Sequence, residues 1–154
     1  MSNGIKIEFD EVSLRKFYRR IDPDHLLGDP LDNFYDRIGK SIEQKAKHNA
    51  PVFSGKMKRS IKYKRNRDGA IVFVGVPYGL FVHEGTKPHW PPVGALKAWA
   101  DSKGISPYAV AHGIAKKGTK AQPFLRTAVE QTQKSLPLEL QRFVGNIKEE
   151  YVRG

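Results

Sequence analysis

The chain has 154 residues, 39% of them hydrophobic and 28% charged, with a formal net charge of +11 and no cysteine. That size and balance suit one globular domain with one core. The missing thiols exclude a disulfide scaffold, a zinc ribbon and a cysteine nucleophile. The charge is uneven: residues 1–44 hold seven Lys/Arg and nine Asp/Glu, whereas residues 45–67 hold nine Lys/Arg and no acid. Such a stretch faces nucleic acid or an acidic protein partner, or is simply a solvated basic face.

In chain order, Ile5, Ile7 and Phe9 alternate with Lys6 and Glu8, the period of a half-buried strand. The N-terminus has no apolar signal core, and the longest apolar run, Ala70 to Val76, is far short of a membrane span; no membrane association is expected. A short basic helix is expected over Val12–Arg20, followed by a Pro- and Gly-containing loop over 22–30. The clearest helix comes next, with Asp29 as cap and Pro30 at its first position. Leu31, Phe34, Tyr35, Ile38, Ile42 and Ala46 share one face, and Pro51 marks its end.

A short helical turn, capped by Ser54, is expected over Gly55–Ser60. Ile61 and Tyr63 then alternate with Lys62 and Lys64, and Asp68-Gly69 favours a tight hairpin. Ala70–Val76 reads as a strand covered on both faces, and Gly79–Glu84 as a third strand after Pro77. Residues 85–92 hold three prolines and are irregular. Two short helices follow, at about 93–103 and 107–117, the first stopped by Gly104 and the second by Gly118. After a loop to Gln122, Pro123 opens a final helix that Pro137 must kink or break.

Chemistry-bearing constellations are weak. His83, Glu84 and His89 miss the spacing of a zinc-peptidase helix, because the second histidine lies six residues on, beyond a Gly and a Pro. Lys117-Gly-Thr-Lys120 has the wrong order for a phosphate loop and reads as a helix end followed by a basic loop. No serine sits in an elbow motif. No catalytic residue, metal or cofactor is expected. The helical pair at 93–117 has the outline of a helix-turn-helix, but residues 107–117 contain no Arg, Asn or Gln to read bases. Their lysines offer phosphate contact at most.

Three separated stretches carry a family resemblance. Ala50-Pro-Val-Phe-Ser-Gly-Lys-Met-Lys-Arg-Ser-Ile61 resembles the AP-x-x-TG-x-L-x-x-SI signature of tailed-bacteriophage tail-completion and minor tail proteins. Val74-Gly-Val-Pro-Tyr-Gly-Leu-Phe-Val-His-Glu-Gly-Thr86 is similar to that family's Y-A-x-Y-V-x-x-GT strand and turn. Lys117-Gly-Thr-Lys-Ala-Gln-Pro-Phe-Leu-Arg-Thr-Ala128 is similar to its PF-x-x-x-A entry to the last helix. Order and spacing agree over about residues 30–135. Ser54, Met57 and Gly79 depart mildly, standing where Thr, Leu and Ala are usual.

The motif positions Pro51, Gly55, Ser60, Tyr78, Gly85, Thr86, Pro123 and Phe124 read as determinants of the fold. Gly55 and Gly85 fall where turns need a backbone freed from Cβ. The resemblance implies a single α+β domain over 1–154. Its antiparallel sheet of three or more strands packs against long N-terminal and C-terminal helices, with the helical pair inserted. It also implies a structural virion subunit, not an enzyme, made in the host cytoplasm and built into the neck. There it joins head to tail as a homo-oligomeric ring, a hexamer, between tail tube and connector, with possible passing contact with DNA. Candidate interface residues are Lys62, Lys64 and Arg65 in the basic stretch, Trp90 in the Pro-rich loop, and Leu140, Phe143 and Ile147 on the last helix. The alternative is a basic nucleic-acid-binding module using 45–67 or the helical pair.

Overall fold

The computed structural model describes residues 5–6, 28–51, 55–66 and 69–153. The expected strand continuation through Phe9, the helix over Val12–Arg20, the loop before Gly28, the Ser54 cap and the hairpin tip at Asp68 lie outside the described residues. The elements are β1 (Ile5–Lys6), α1 (Gly28–Asn49), α2 (Lys56–Ser60), β2 (Ile61–Asn66), β3 (Gly69–Val74) and α3 (Gly79–Glu84). They continue with α4 (Val93–Ser102), α5 (Pro107–Lys117), α6 (Phe124–Gln133) and α7 (Leu136–Arg153). The fold is therefore mixed helix and antiparallel sheet.

The centre is α1. Phe34, Tyr35, Ile38, Ile42 and Ala46 are buried along one face, as their spacing of three and four requires. Asp29 in the first turn and Lys47 with His48 in the last complement the helix dipole. The β2–β3 hairpin packs on one side of α1, and α6 with α7 on the other. One apolar cluster joins them, running from Phe34 and Ile42 through Ile61 and Val72 to Phe124, Leu125, Phe143 and Ile147. The Phe34 and Phe143 rings lie 5.3 Å apart. Arg37 Nε donates to Glu139 Oε2 at 2.9 Å, tying α1 to α7. Gly39 sits where α1 crosses the hairpin; a Cβ there would lie 2.5 Å from Tyr63 Cδ2.

The hairpin pairs Ile61 with Val74 through to Asn66 with Gly69. The two residues of β1 pair on the far edge of β3, opposite Val72 and Ile71. The strand order is β1-β3-β2, and most of the sheet is the β2–β3 hairpin. Gly79–Glu84, expected as a strand, is instead a helix. Gly75 N–H bonds the Ser60 carbonyl at 3.0 Å, where β2 meets α2, and the β2–β3 ladder ends at the Ile61–Val74 pair. Pro77 cannot donate to a ladder. Gly79 N–H instead bonds Val76 O at 3.0 Å, and the chain turns helical with Val82 N–H on Tyr78 O at 3.1 Å. Gly79 and His83 then face inward, and Leu80 and Phe81 face outward.

β3 is not covered on both faces. Ala70 and Val72 are buried toward α1, whereas Ile71 and Phe73 are half-buried on the outer face. The last helical region is broken as Pro137 demands. The break is a turn at Lys134–Ser135, and Pro137 stands in the first turn of α7, where its missing N–H costs nothing.

Candidate functional site

Two surfaces carry the residues singled out by sequence: the basic hairpin face and the arm formed by residues 86–119.

On β2, Lys62 and Lys64 point outward, and Tyr63 and Arg65 point toward α1. The nine-cation stretch meets acids that are remote in sequence. Arg65 forms an ion pair with Asp32. The Tyr63 hydroxyl donates to Asp36 Oδ1 at 2.8 Å, and Lys40 pairs with the same carboxylate. Glu43 pairs with Lys47 and accepts the Tyr63 backbone N–H at 2.8 Å. That last bond satisfies a donor on the open edge of β2, which otherwise invites another strand.

The Tyr63 hydroxyl holds the Asp36 carboxyl below its usual range, against a smaller opposing effect of burial, with Lys40 assisting. Burial pushes Glu43 up, but Lys47 and the Tyr63 N–H outweigh it and leave it lowered. Arg65 is thus ion-paired within the subunit, its side chain still 29% exposed. Lys62 and Lys64 remain exposed. Phe73 stands directly across from Lys62 and Ile71 across from Lys64.

On α7 the expected interface divides. Phe143 and Ile147 belong to the monomer's own core, 6% and 9% exposed, and are corrected from interface to core. They share the inward face of α7, where Phe34 already waits. Leu140 stays exposed with Val144 one turn on, and Leu138 is exposed as well.

The arm begins and ends at a clasp. Thr86 N–H donates to Thr119 O at 3.2 Å, and Thr119 N–H to Thr86 O at 3.1 Å. The two threonine hydroxyls lie 3.0 Å apart. Each threonine follows a glycine of positive φ, +72° at Gly85 and +71° at Gly118. A Cβ on Gly85 would lie 2.5 Å from Thr119 O, and one on Gly118 would lie 1.9 Å from Thr86 O. Only glycine lets the two backbones cross this closely. In the sequence, Gly85-Thr86 and Gly118-Thr119 read as separate motifs. The recurrence of one dipeptide at both ends of the insertion is the signal that could have joined them.

Beyond the clasp, α4 and α5 pack on each other. Ala100 and Ala111 are buried there but stand outside the main cluster, so the pair has a small core of its own. Trp90 is 53% exposed and sets its ring perpendicular to His112 at 5.0 Å.

The remaining motif residues are architectural. Gly55 precedes α2 at φ +70°, and Ser60 Oγ donates to Met57 O at 2.7 Å. Pro51 follows α1 half-buried, and Tyr78 precedes α3 half-exposed. Pro123 leads into α6, where Phe124 is buried against His83 with ring centres 5.3 Å apart. His83 is itself buried, and burial pushes its pKa down; the Glu84 carboxylate opposes this and Arg126 adds to it. His89 lies apart on the exposed loop, its Nδ1 against Lys87 O at 2.9 Å. Among the described residues, no three His, Asp or Glu side chains gather as a metal set, and no helix is long and apolar enough to cross a membrane.

No protein-family model matches the chain, and no curated protein or solved structure is significantly similar to it.

Proposed function

We propose that this chain is a structural virion protein, a tail-completion or head–tail joining subunit of a tailed bacteriophage. It acts as a ring, a hexamer by the resemblance, in the neck between tail tube and connector, and is made in the host cytoplasm. One observation supports this reading above the others. The residues of all three motif stretches have architectural roles: a turn at Gly55, a clasp at Gly85-Thr86 with Gly118-Thr119, and a buried helix entry at Phe124. A protein whose signature residues build shape is suited to assembly.

A ring needs two different patches that meet between neighbouring copies. The candidates left exposed are Trp90 on the arm and Leu138, Leu140 and Val144 on α7. The outward lysines Lys62 and Lys64 suit an acidic neighbouring component.

The test is electron microscopy of particles assembled without this chain, with complementation by variants. Unjoined heads and tails are expected without it. Rescue is expected with the wild type and not with Lys62→Glu/Lys64→Glu, whose purified form should melt as the wild type does. Normal infectious particles from the deletion would overturn the proposal.

A further inference from the structure

The arm presents a second kind of surface, beyond the joining role. Tyr108, His112 and Lys116 stand four residues apart on α5, and all three are exposed. They form one stripe along the helix, about 12 Å long. Trp90 folds against the middle of that stripe through His112. At its end lies the clasp, which sets Lys87 beside Gly118 and brings Lys117 and Lys120 to the same neck. Between Thr86 and Lys120 the chain has six lysines and a single acid, Asp101, which lies on α4. The nearest other acid in sequence is Glu84, just before the clasp.

We infer that this stripe binds single-stranded nucleic acid without sequence preference, its lysines on phosphates and its exposed rings on unstacked bases. Two physical features select that ligand. A run of cations almost without acids attracts a polyanion and releases its counterions. Exposed rings along the stripe, with the lysines gathered at its end, offer stacking platforms that every base can use. Trp90 and Tyr108 are 53% and 64% exposed, so both rings are open to an unstacked base. The lack of Arg, Asn and Gln on α5 removes the side chains that read base edges. The clasp holds the Lys87 and Lys117 backbones at a fixed separation, so the phosphate end is organised before ligand arrives.

The experiment titrates the full chain into a short fluorescein-labelled oligothymidylate and follows anisotropy across a salt series. Binding is expected, weakening as salt rises. Lys116→Ala/Lys117→Ala should lower the slope of log affinity against log salt by about 0.7 for each phosphate no longer neutralised. Trp90→Ala should weaken binding about tenfold with the slope unchanged, within the range of a single base stack. Tyr108→Ala is a second ring variant at a side chain exposed enough to leave the fold intact, and Lys62→Ala/Lys64→Ala should change nothing. No binding at low salt would overturn the inference. So would equal affinity for polyglutamate, ring variants without effect, or a loss of binding confined to the Lys62/Lys64 variant. Because the assay uses the free chain, its failure leaves the joining role standing.

Discussion

Replacing Gly39 by alanine tests the central packing claim, because the outcome is set by a neighbour and not by helix propensity. In an open helix interior, Gly→Ala stabilises by about 1 kcal/mol. At Gly39 the new Cβ would lie 2.5 Å from Tyr63 Cδ2 and 3.1 Å from both Tyr63 Cε2 and the Ala70 Cβ. Tyr63 has no easy retreat, since its hydroxyl is bound to Asp36 and its backbone N–H to Glu43. Overpacking of this kind costs about 1–3 kcal/mol, which cancels or outweighs the propensity gain. We expect Gly39→Ala to forfeit the propensity gain and lose up to about 2 kcal/mol net, a fall in Tm of up to about 8 °C for a chain of this size. Gly145 on α7 is the control, because a Cβ there meets nothing within 4 Å. Gly145→Ala should gain about 1 kcal/mol. Urea titrations of both variants, compared at equal m-value, give the two values. A Gly39→Ala protein stabilised as much as Gly145→Ala would refute the close helix–hairpin approach.

The clasp and the buried histidine give two further expectations. Gly118→Ala puts a Cβ onto the Thr86 carbonyl, so trypsin should cut at Lys117 or Lys120 faster than in the wild type, while the body centred on α1 keeps its melting transition; unchanged cleavage would argue against the clasp. Burial lowers the His83 pKa below its ordinary 6.5, so the neutral form is the one folding favours. Its contribution is complete above that value and is lost as pH falls through the folded-state pKa. Asp36 and Glu43, held below 3.8 and 4.5, contribute at higher pH and lose their contribution as the pH falls below those values. Thermal melts should therefore decline in two acid limbs, and His83→Gln should remove only the upper one; a variant that keeps both limbs would contradict the assignment.

Much of the frame was legible in the chain itself. The apolar spacing of α1, the alternation in β2, the Pro- and Gly-marked limits of α4 and α5, and the break at Pro137 all follow from local periodicity and backbone chemistry. Local pattern failed where a partner had to be known. Gly79–Glu84 has apolar residues that fit either period, and it is a helix beyond the end of the β2–β3 ladder at the Ile61–Val74 pair. Phe143 and Ile147 looked like spare apolar surface until α1 supplied Phe34 opposite them.

The basic stretch shows the same division. Composition gave nine cations and no acid over 45–67. Tertiary structure brings Asp32, Asp36 and Glu43 from α1 against that stretch and leaves Lys62 and Lys64 outward. Charge is a property of sequence; its neutralisation depends on which helix packs where. The two Gly-Thr pairs were visible as dipeptides, but their meeting depended on the arm over residues 86–119 closing on itself. The repeated dipeptide hints at a pairing, but backbone hydrogen bonds between distant residues carry no signature in either segment alone, so the folded chain decides that the two meet.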